Sequence, residues 1–302
     1  MKHLLKMADL SGEDIIKILD LADQMKYNKT HGIEHRLLEG KSLAMIFTKS
    51  STRTRVSFEV GIGQLGGRGL FLSGNDIQLG RGESIEDTAQ VLSRYVDGIM
   101  IRTFKQSDVE ELAKYAAVPV INGLTDYAHP CQVLADLMTI REYLSTLAGL
   151  TVAFLGDGSN VCNSLIVGAL KCEMNMRVAT PKGYEPHKDV LAFAGDNIML
   201  ANDPREVVTG ADVVITDVWT SMGQEGEAAE RLKVMRPFQL NAELMSLANP
   251  SAIVQHCLPA HKGEEITLDV FNSHANEIYD EAENRLHVQK AIMALLMGNA
   301  DE

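Results

Sequence analysis

A run of hydroxyl and cationic side chains lies between two apolar stretches in FTKSSTRTRVSFEVG, residues 47 to 61 of the 302-residue chain. Helical spacing after Ser51 places Ser51 to Arg53 in the first turn of a predicted helix. The apolar residues with that spacing are Phe58, Ile62 and Leu65. Backbone N–H groups and the helix dipole attract an anion at such a turn, so the stretch predicts a phosphate site. The alternative is a capped helix on whose surface Arg55 pairs with Glu59.

Other polar side chains directly follow short β-rich runs. In doubly wound folds, the loops at the carboxyl ends of the strands form the ligand site, so these residues are expected to converge. They are Ser50 to Arg55 after SLAMIF, Arg102 within GIMIRTF, Asp157 to Asn160 after LTVAFLG, Asp217 to Met222 after DVVIT, and His256 to His261 after AIVQ.

The β-rich runs alternate with amphipathic segments, of which the first follows a predicted N-cap at Ser11 and another follows Ser84. This alternation predicts an α/β protein with two doubly wound parallel-sheet domains joined by helices. The runs are SLAMIF, GLFLS, GIMIRTF and VPVING in the first half, and LTVAFLG, MRVAT, NIML, DVVITDVW and AIVQHCL in the second. We expect domains at 1–143, completed by a C-terminal helix at 285–302, and at 144–284. Two such domains leave a cleft between them, where the active site is expected.

Charge and composition narrow the classes of partner. A formal net charge of -13 disfavours nucleic acid and anionic membranes as partners but permits a small anion in a local basic pocket. The N-terminal segment lacks the continuous apolar core of a signal peptide, and no apolar run approaches the length of a membrane span. Four scattered cysteines suit a reducing compartment, so a cytoplasmic location is expected.

Four motifs occur in order along the chain: STRTR at 51–55, HPCQ at 129–132, DVWTSMG at 217–223 and HCLP at 256–259. Together they resemble the aspartate/ornithine carbamoyltransferase family, and the last two are similar to its ornithine-using branch. The resemblance implies transfer of a carbamoyl group from carbamoyl phosphate to the side-chain amine of L-ornithine, which gives L-citrulline and phosphate. It implies no cofactor and no metal, and a homotrimer or a multiple of trimers with shared active sites.

The resemblance also assigns residues to the two substrates. Arg53, Arg102, His129 and Cys257 are implied to be catalytic. Carbamoyl phosphate is implied to contact Ser51, Thr52, Arg53, Thr54, Gln78, Arg102, His129, Gln132, Cys257, Leu258 and Arg285, with Gln78 supplied by a neighbouring subunit. Ornithine is implied to contact Asn160, Asp217, Ser221 and Met222.

Each of these residues taken singly also has an ordinary structural interpretation. His129 is then a helix-terminal histidine bonded to backbone, and Arg102 is a surface arginine at a strand end. Asp217 is a helix cap, Met222 fills a core, and Cys257 is a small buried hydrophobe.

Other classes of function compete with carbamoyl transfer. The glycines of LTVAFLGDGSN suggest a dinucleotide site, but Val161 occupies the third glycine position and MRVAT ends without an acid for a ribose. His256, Cys257 and His261 suggest a metal site, without a second cluster of spaced ligands. A phosphate sensor would leave the later loops unused. A carbamoyltransferase for putrescine, lysine or an N-acylated ornithine is the remaining alternative.

Overall fold

A computed structural model describes residues 1–74, 77, 82–220 and 225–298. The chain forms two compact units, Met1–Ala135 with Asn284–Glu302, and Asp136–Glu283. Each unit contains one parallel sheet with flanking helices, as predicted, and each predicted β-rich run contains a strand.

The helices and strands follow one another in this order: α1 (Gly12–Thr30), β1 (Ser42–Phe47), α2 (Thr52–Gln64), β2 (Arg68–Ser73), α3 (Ile85–Leu92), β3 (Gly98–Arg102), α4 (Gln106–Tyr115), β4 (Val120–Leu124), α5 (Pro130–Leu144), β5 (Thr151–Leu155), α6 (Asn160–Lys171), β6 (Asn175–Ala179), α7 (Lys188–Ala194), β7 (Ile198–Ala201), α8 (Pro204–Val208), β8 (Val213–Thr216), α9 (Ala228–Met235), α10 (Ala242–Met245), β9 (Ile253–Gln255), α11 (Leu268–Ser273) and α12 (Ala275–Met297). Short 3₁₀ helices lie at Met7–Asp9, Gly195–Asn197, Glu225–Glu227 and Arg236–Phe238.

The sheet of the first unit has the strand order β2-β1-β3-β4, with all neighbours parallel. Its central strands β1 and β3 are almost wholly buried, as expected for a parallel sheet covered on both faces. Because the strands are parallel, the residues that follow β1 and those that end β3 lie at the same edge. The STRTR motif and Arg102 are therefore brought together by the topology.

Side-chain caps fix where several helices of this unit begin. The predicted N-caps Ser11 and Ser84 are confirmed: their hydroxyls accept from the N–H groups of Asp14 and Asp87, both at 3.0 Å. Ser51 caps α2 and accepts from the N–H of Thr54 at 3.1 Å. The apolar face predicted for α2 is fully buried, and its members are Phe58, Ile62 and Leu65.

The sheet of the second unit has the strand order β7-β6-β5-β8-β9 and is also parallel. The adjacent central strands β5 and β8 are fully buried, so the loops that follow them share one edge. Those loops contain Asn160 and Asp217, and β9 leads into the HCLP motif beside them. Within the described part of the chain, every helix is too short or too polar to cross a bilayer.

Candidate active site

The first turn of α2 borders a cavity of about 600 Å³ whose lining includes Ser50, Ser51 and Thr52. Thr52 and Arg53 are the first two residues of α2 and are exposed, so their predicted place in the first turn of a helix is confirmed, while their contact with a phosphate stays a prediction. The ion pair of the capped-helix interpretation is also present near this turn: Arg55 Nε donates to Glu59 Oε2 at 3.4 Å.

Two buried guanidinium groups converge on the next residue of the motif. Arg102 Nη1 donates to Thr54 Oγ1 at 3.4 Å, and Arg285 Nη2 donates to the same oxygen at 2.9 Å. Arg102 is only 7% exposed, so its interpretation as a surface arginine is wrong. Two guanidinium groups that donate to the same oxygen give this place a positive potential, which attracts a small anion.

A neutral histidine and a third cation belong to the same cluster. The side chain of Lys49 is buried and donates to Asp126 Oδ1 at 3.0 Å. Burial lowers the pKa of His129 well below its ordinary value, and the positive charges of Arg285, Arg102 and Lys49 lower it further. His129 therefore carries one ring N–H at neutral pH and can act as a neutral hydrogen-bond donor. Lys49 lies in the stretch 47–61, but nothing in the sequence there indicates this electrostatic effect.

Gln132 lies in the first turn of α5 and is fully buried. Its backbone N–H donates to the carbonyl of His129 at 3.2 Å, so the helix that begins at Pro130 fixes the spacing of the HPCQ motif.

The second unit presents a carboxylate instead of cations. Asp217 follows β8, is 8% exposed, and its Oδ1 accepts from Val218 N at 2.7 Å and from Cys257 Sγ at 2.9 Å. Burial raises the pKa of Cys257 well above its ordinary value, and the Asp217 carboxylate raises it further. The thiol is thus a protonated donor at neutral pH. These contacts replace the helix-cap interpretation of Asp217 and the small-hydrophobe interpretation of half-buried Cys257.

The HCLP loop has an unusual backbone at Leu258, where φ is +58°. This left-handed conformation costs a residue other than glycine about 1–2 kcal/mol, so it persists only where neighbouring contacts impose it. Leu258 N donates to His256 Nδ1 at 2.9 Å, and the other ring nitrogen of His256 lies 3.0 Å from Glu265 Oε1. Because both nitrogens are engaged, the metal alternative loses one of its proposed ligands.

Asn160 is the first residue of α6, and its Oδ1 accepts from Val161 N at 2.9 Å. The glycine that precedes it by two positions packs against backbone, because a Cβ at Gly158 would overlap residues 184–186. Gly158 N also donates to Tyr184 O at 2.8 Å. Gly158, one of the glycines that suggested a dinucleotide site, therefore has a packing role.

A buried arginine that no motif indicated joins two loops of the second unit. Arg231 Nε donates to Trp219 O at 2.6 Å, and its Nη2 pairs with Asp157. Arg231 thus ties the loop that follows β8 to the loop that follows β5. Neither the helical spacing nor the composition around Arg231 distinguishes it from a surface arginine.

Three of the predicted site residues, Gln78, Ser221 and Met222, lie outside the described residues. Their assigned contacts with substrates stay predictions.

Comparison with known proteins matches two different substrate-binding domains to successive parts of the chain. The model of the aspartate/ornithine carbamoyltransferase carbamoyl-P binding domain matches residues 2–142, and that of the Asp/Orn binding domain matches residues 148–296. The chain belongs to the aspartate/ornithine carbamoyltransferase family. Among similar family members, an ornithine carbamoyltransferase of Carboxydothermus hydrogenoformans is 58% identical over 98% of each chain. An anabolic one of Pyrococcus furiosus is 54% identical over 98% of this chain and 96% of its own.

Solved structures of family members have the same fold. The ornithine carbamoyltransferase of Pyrococcus furiosus superposes with a TM-score of 0.94 at 53% identity, covering 98% of this chain and 97% of its own. The anabolic enzyme of Campylobacter jejuni gives a TM-score of 0.93 at 42% identity, covering 98% and 99%.

Thr54→Val tests whether Thr54 stabilises the cation cluster or only fills space in the core of this family member. The substitution keeps the shape but removes the acceptor shared by Arg102 and Arg285, so the free energy of unfolding should fall by about 1–3 kcal/mol. The affinity for carbamoyl phosphate, measured by calorimetry, should fall with it. The matched control is Thr88→Val, because the Thr88 hydroxyl is buried with no hydrogen-bond partner in the structure. Equal effects of the two substitutions would contradict a special role for Thr54.

Proposed function

We propose that the chain catalyses carbamoyl transfer from carbamoyl phosphate to the side-chain amine of L-ornithine, producing L-citrulline and phosphate. The observation that carries the choice of amine is the Asp217 carboxylate with the Cys257 thiol donating to it. The pKa of that thiol is raised by burial and by the nearby charges of Asp217, Glu281 and Asp136, so the site has a negative electrostatic potential. Such a site attracts the ammonium groups of a diamino acid and disfavours the second carboxylate of aspartate.

The first unit is proposed to bind carbamoyl phosphate. The first turn of α2 supplies N–H groups and the hydroxyls of Ser51 and Thr52. Arg53 adds a positive charge whose attraction to the phosphate strengthens as negative charge grows on the leaving group. Buried Arg102 and Arg285 stabilise the same dianion. Removing one such preorganised donor costs about 2.7–4 kcal/mol of activation free energy in other enzymes.

The carbamoyl group itself is proposed to contact His129 and Gln132. The neutral His129 ring donates to the carbonyl oxygen, which gains negative charge when the amine attacks. Gln132 orients the carbamoyl amide. In the second unit, Asp217 accepts from the α-ammonium of ornithine, Asn160 donates to its carboxylate, and Cys257 with Leu258 directs the terminal amine.

The chemical step needs no covalent enzyme intermediate. The amine lone pair forms the new bond to the carbamoyl carbon, and the bond from that carbon to the phosphate oxygen breaks. Phosphate leaves with the electron pair, and the amine loses one proton to phosphate or solvent.

Initial rates with a panel of amines test the proposal directly. L-Ornithine should react with a kcat/KM at least about 100-fold above those of putrescine, lysine, aspartate and N-acetylornithine. Putrescine, aspartate and N-acetylornithine each lack or block a group that the site pairs, and the extra methylene of lysine misplaces the attacking amine. Citrulline is measured colorimetrically. A higher value for any other amine would replace ornithine as the substrate. Asp217→Asn serves as the control variant: it should impair ornithine while leaving carbamoyl phosphate affinity within about twofold.

The pH dependence should report on the substrate amine. Its pKa is near 10.4, so roughly one molecule in a thousand or fewer is neutral at pH 7. Burial and the nearby cations lower the pKa of His129 well below its ordinary value, so titration of this ring is not the expected source of a rise in rate toward neutral pH. The rate at subsaturating ornithine should therefore rise about tenfold between pH 6 and pH 7. A flat profile, with chemistry shown to limit the rate, would contradict attack by the free amine.

A trimer is proposed as the working form, with Gln78 of one subunit contributing to the site of its neighbour. An exposed apolar patch on the first unit supports this assembly. Val56 and Val60 of α2 are 52% and 43% exposed, and Phe71 of edge strand β2 is 39% exposed. The patch adjoins the cavity at Ser51, whose lining includes Val56 and Phe71. Apolar surface at an open sheet edge favours contact with a second copy.

Val60→Glu should weaken that assembly. A charge placed in the patch disfavours burial, so light scattering should show loss of the particle of three 33.1-kDa chains, with loss of activity. Leu268→Glu is the matched control, since Leu268 is 56% exposed on the second unit. A wild-type protein that is active as a monomer would refute the shared site.

We also propose a cytoplasmic location, on the basis of the cysteine pattern in the sequence.

A further inference from the structure

Glu265 is a fully buried carboxylate that lies six residues after the HCLP motif. One of its oxygens, Oε1, is bonded twice. It lies 3.0 Å from His256 Nε2, and it accepts from the backbone N–H of His261 at 2.6 Å. A single carboxylate oxygen therefore holds residues on both sides of the loop that contains Cys257.

The hydrogen bond at Nδ1, the second ring nitrogen of His256, indicates which tautomer of the ring is present. Nδ1 accepts from Leu258 N at 2.9 Å, so it carries a lone pair, and the ring proton resides on Nε2. Nε2–H then donates to Glu265, and a charged acceptor makes this bond strong. The opposite tautomer would place two hydrogens between Nδ1 and Leu258 N and would leave Glu265 facing a lone pair.

This tautomer controls the backbone around Cys257. Its Nδ1 acceptor holds Leu258 at a φ of +58°, and the His256 N–H is held separately by Glu281 Oε2 at 2.8 Å. Cys257 lies between these two anchored residues, and its thiol reaches Asp217 at 2.9 Å. The position of the thiol therefore depends on a proton that Glu265 fixes.

We propose that Glu265 is a positioning residue for carbamoyl transfer, acting through His256 to hold the backbone of residues 256–259 and the Cys257 thiol in their reactive arrangement. The inference rests on the proposed function of the loop. Glu265 itself touches no substrate in this scheme.

Glu265→Ala should lower kcat with ornithine by about 10–100-fold, since small misplacements in a preorganised site have effects of that size. KM for ornithine should change less than about threefold, because the interaction that is lost stabilises the transition state and not the bound ornithine. Glu265→Gln keeps an acceptor at Oε1 and should stay within about threefold of wild type. Glu264→Ala is the matched control, as Glu264 is a partly exposed neighbour that pairs only with the His261 ring in the described contacts. Wild-type kcat in Glu265→Ala, or equal losses in the Ala and Gln variants, would overturn the proposal.

A double-variant cycle tests whether the effect passes through His256. His256→Asn removes the ring through which Glu265 is proposed to act. The double variant His256→Asn with Glu265→Ala should therefore lose no more activity than His256→Asn alone. Multiplicative losses would overturn the proposal. Iodoacetamide supplies a second readout: alkylation of Cys257, corrected with Cys257→Ser, should accelerate in Glu265→Ala and stay unchanged in Glu264→Ala. An unchanged rate in Glu265→Ala would show that the thiol is not held by this path.

The wild-type protein provides a test that survives misfolding of any variant. Nitrogen-15 NMR of the histidine rings should show His256 with a protonated Nε2 and an unprotonated Nδ1 at pH 7. The opposite tautomer, or a doubly protonated ring, would overturn the inference. These spectra and the alkylation rates do not require turnover, so they remain decisive even if the wild-type protein forms no citrulline, an outcome that would reject the proposed function instead.

Discussion

The hydrogen bonds from Arg102 and Arg285 to the hydroxyl of Thr54 are the constraint on which the first unit depends. The two guanidinium groups are buried at the end of β3 and in α12, and Arg285 is 231 positions away from Thr54 in the chain. The C-terminal part of α12 therefore has to return to the first unit for the cluster to exist. Two cations that share one acceptor give this edge of the sheet a positive potential, which suits an anionic ligand.

The second unit has the opposite polarity at the equivalent edge of its sheet. There the strand ends carry Asp217 and lead to Cys257, and burial together with the carboxylate keeps the thiol a donor by raising its pKa. The chain as a whole carries a net charge of -13. A locally cationic cluster in an acidic protein selects a small anion, because its field is short-ranged, whereas a polyanion would meet the repulsion of the whole surface.

The sequence predicted the elements better than the contacts between them. Apolar runs located the strands, serine caps located the starts of α1 and α3, and the spacing of apolar residues located α2, because all these signals are local. The motifs and their resemblance to a family located the candidate site. The link between Arg231 and Asp157 was not predicted, because it joins positions 74 residues apart and neither end has a distinctive neighbourhood. The left-handed φ of Leu258 was missed for a related reason: it is imposed by the ring of His256, and nothing in the residue type of Leu258 favours it.

The same cations that favour an anion also decide what His129 can do. Arg285, Arg102 and Lys49 add to burial in lowering its pKa, so the ring is neutral before any substrate binds. A bound phosphate dianion would offset part of that charge effect but leave the burial effect, which is the larger one. His129 is thus suited to donate one hydrogen bond to a developing oxyanion and unsuited to deliver a proton at neutral pH. In the second unit, Cys257 holds its proton because of Asp217 and burial, so it does not serve as a base there either. The proton released by the attacking amine must therefore leave by another route, and the departing phosphate, with a second pKa near 6 to 7, is the basic group that the reaction itself provides.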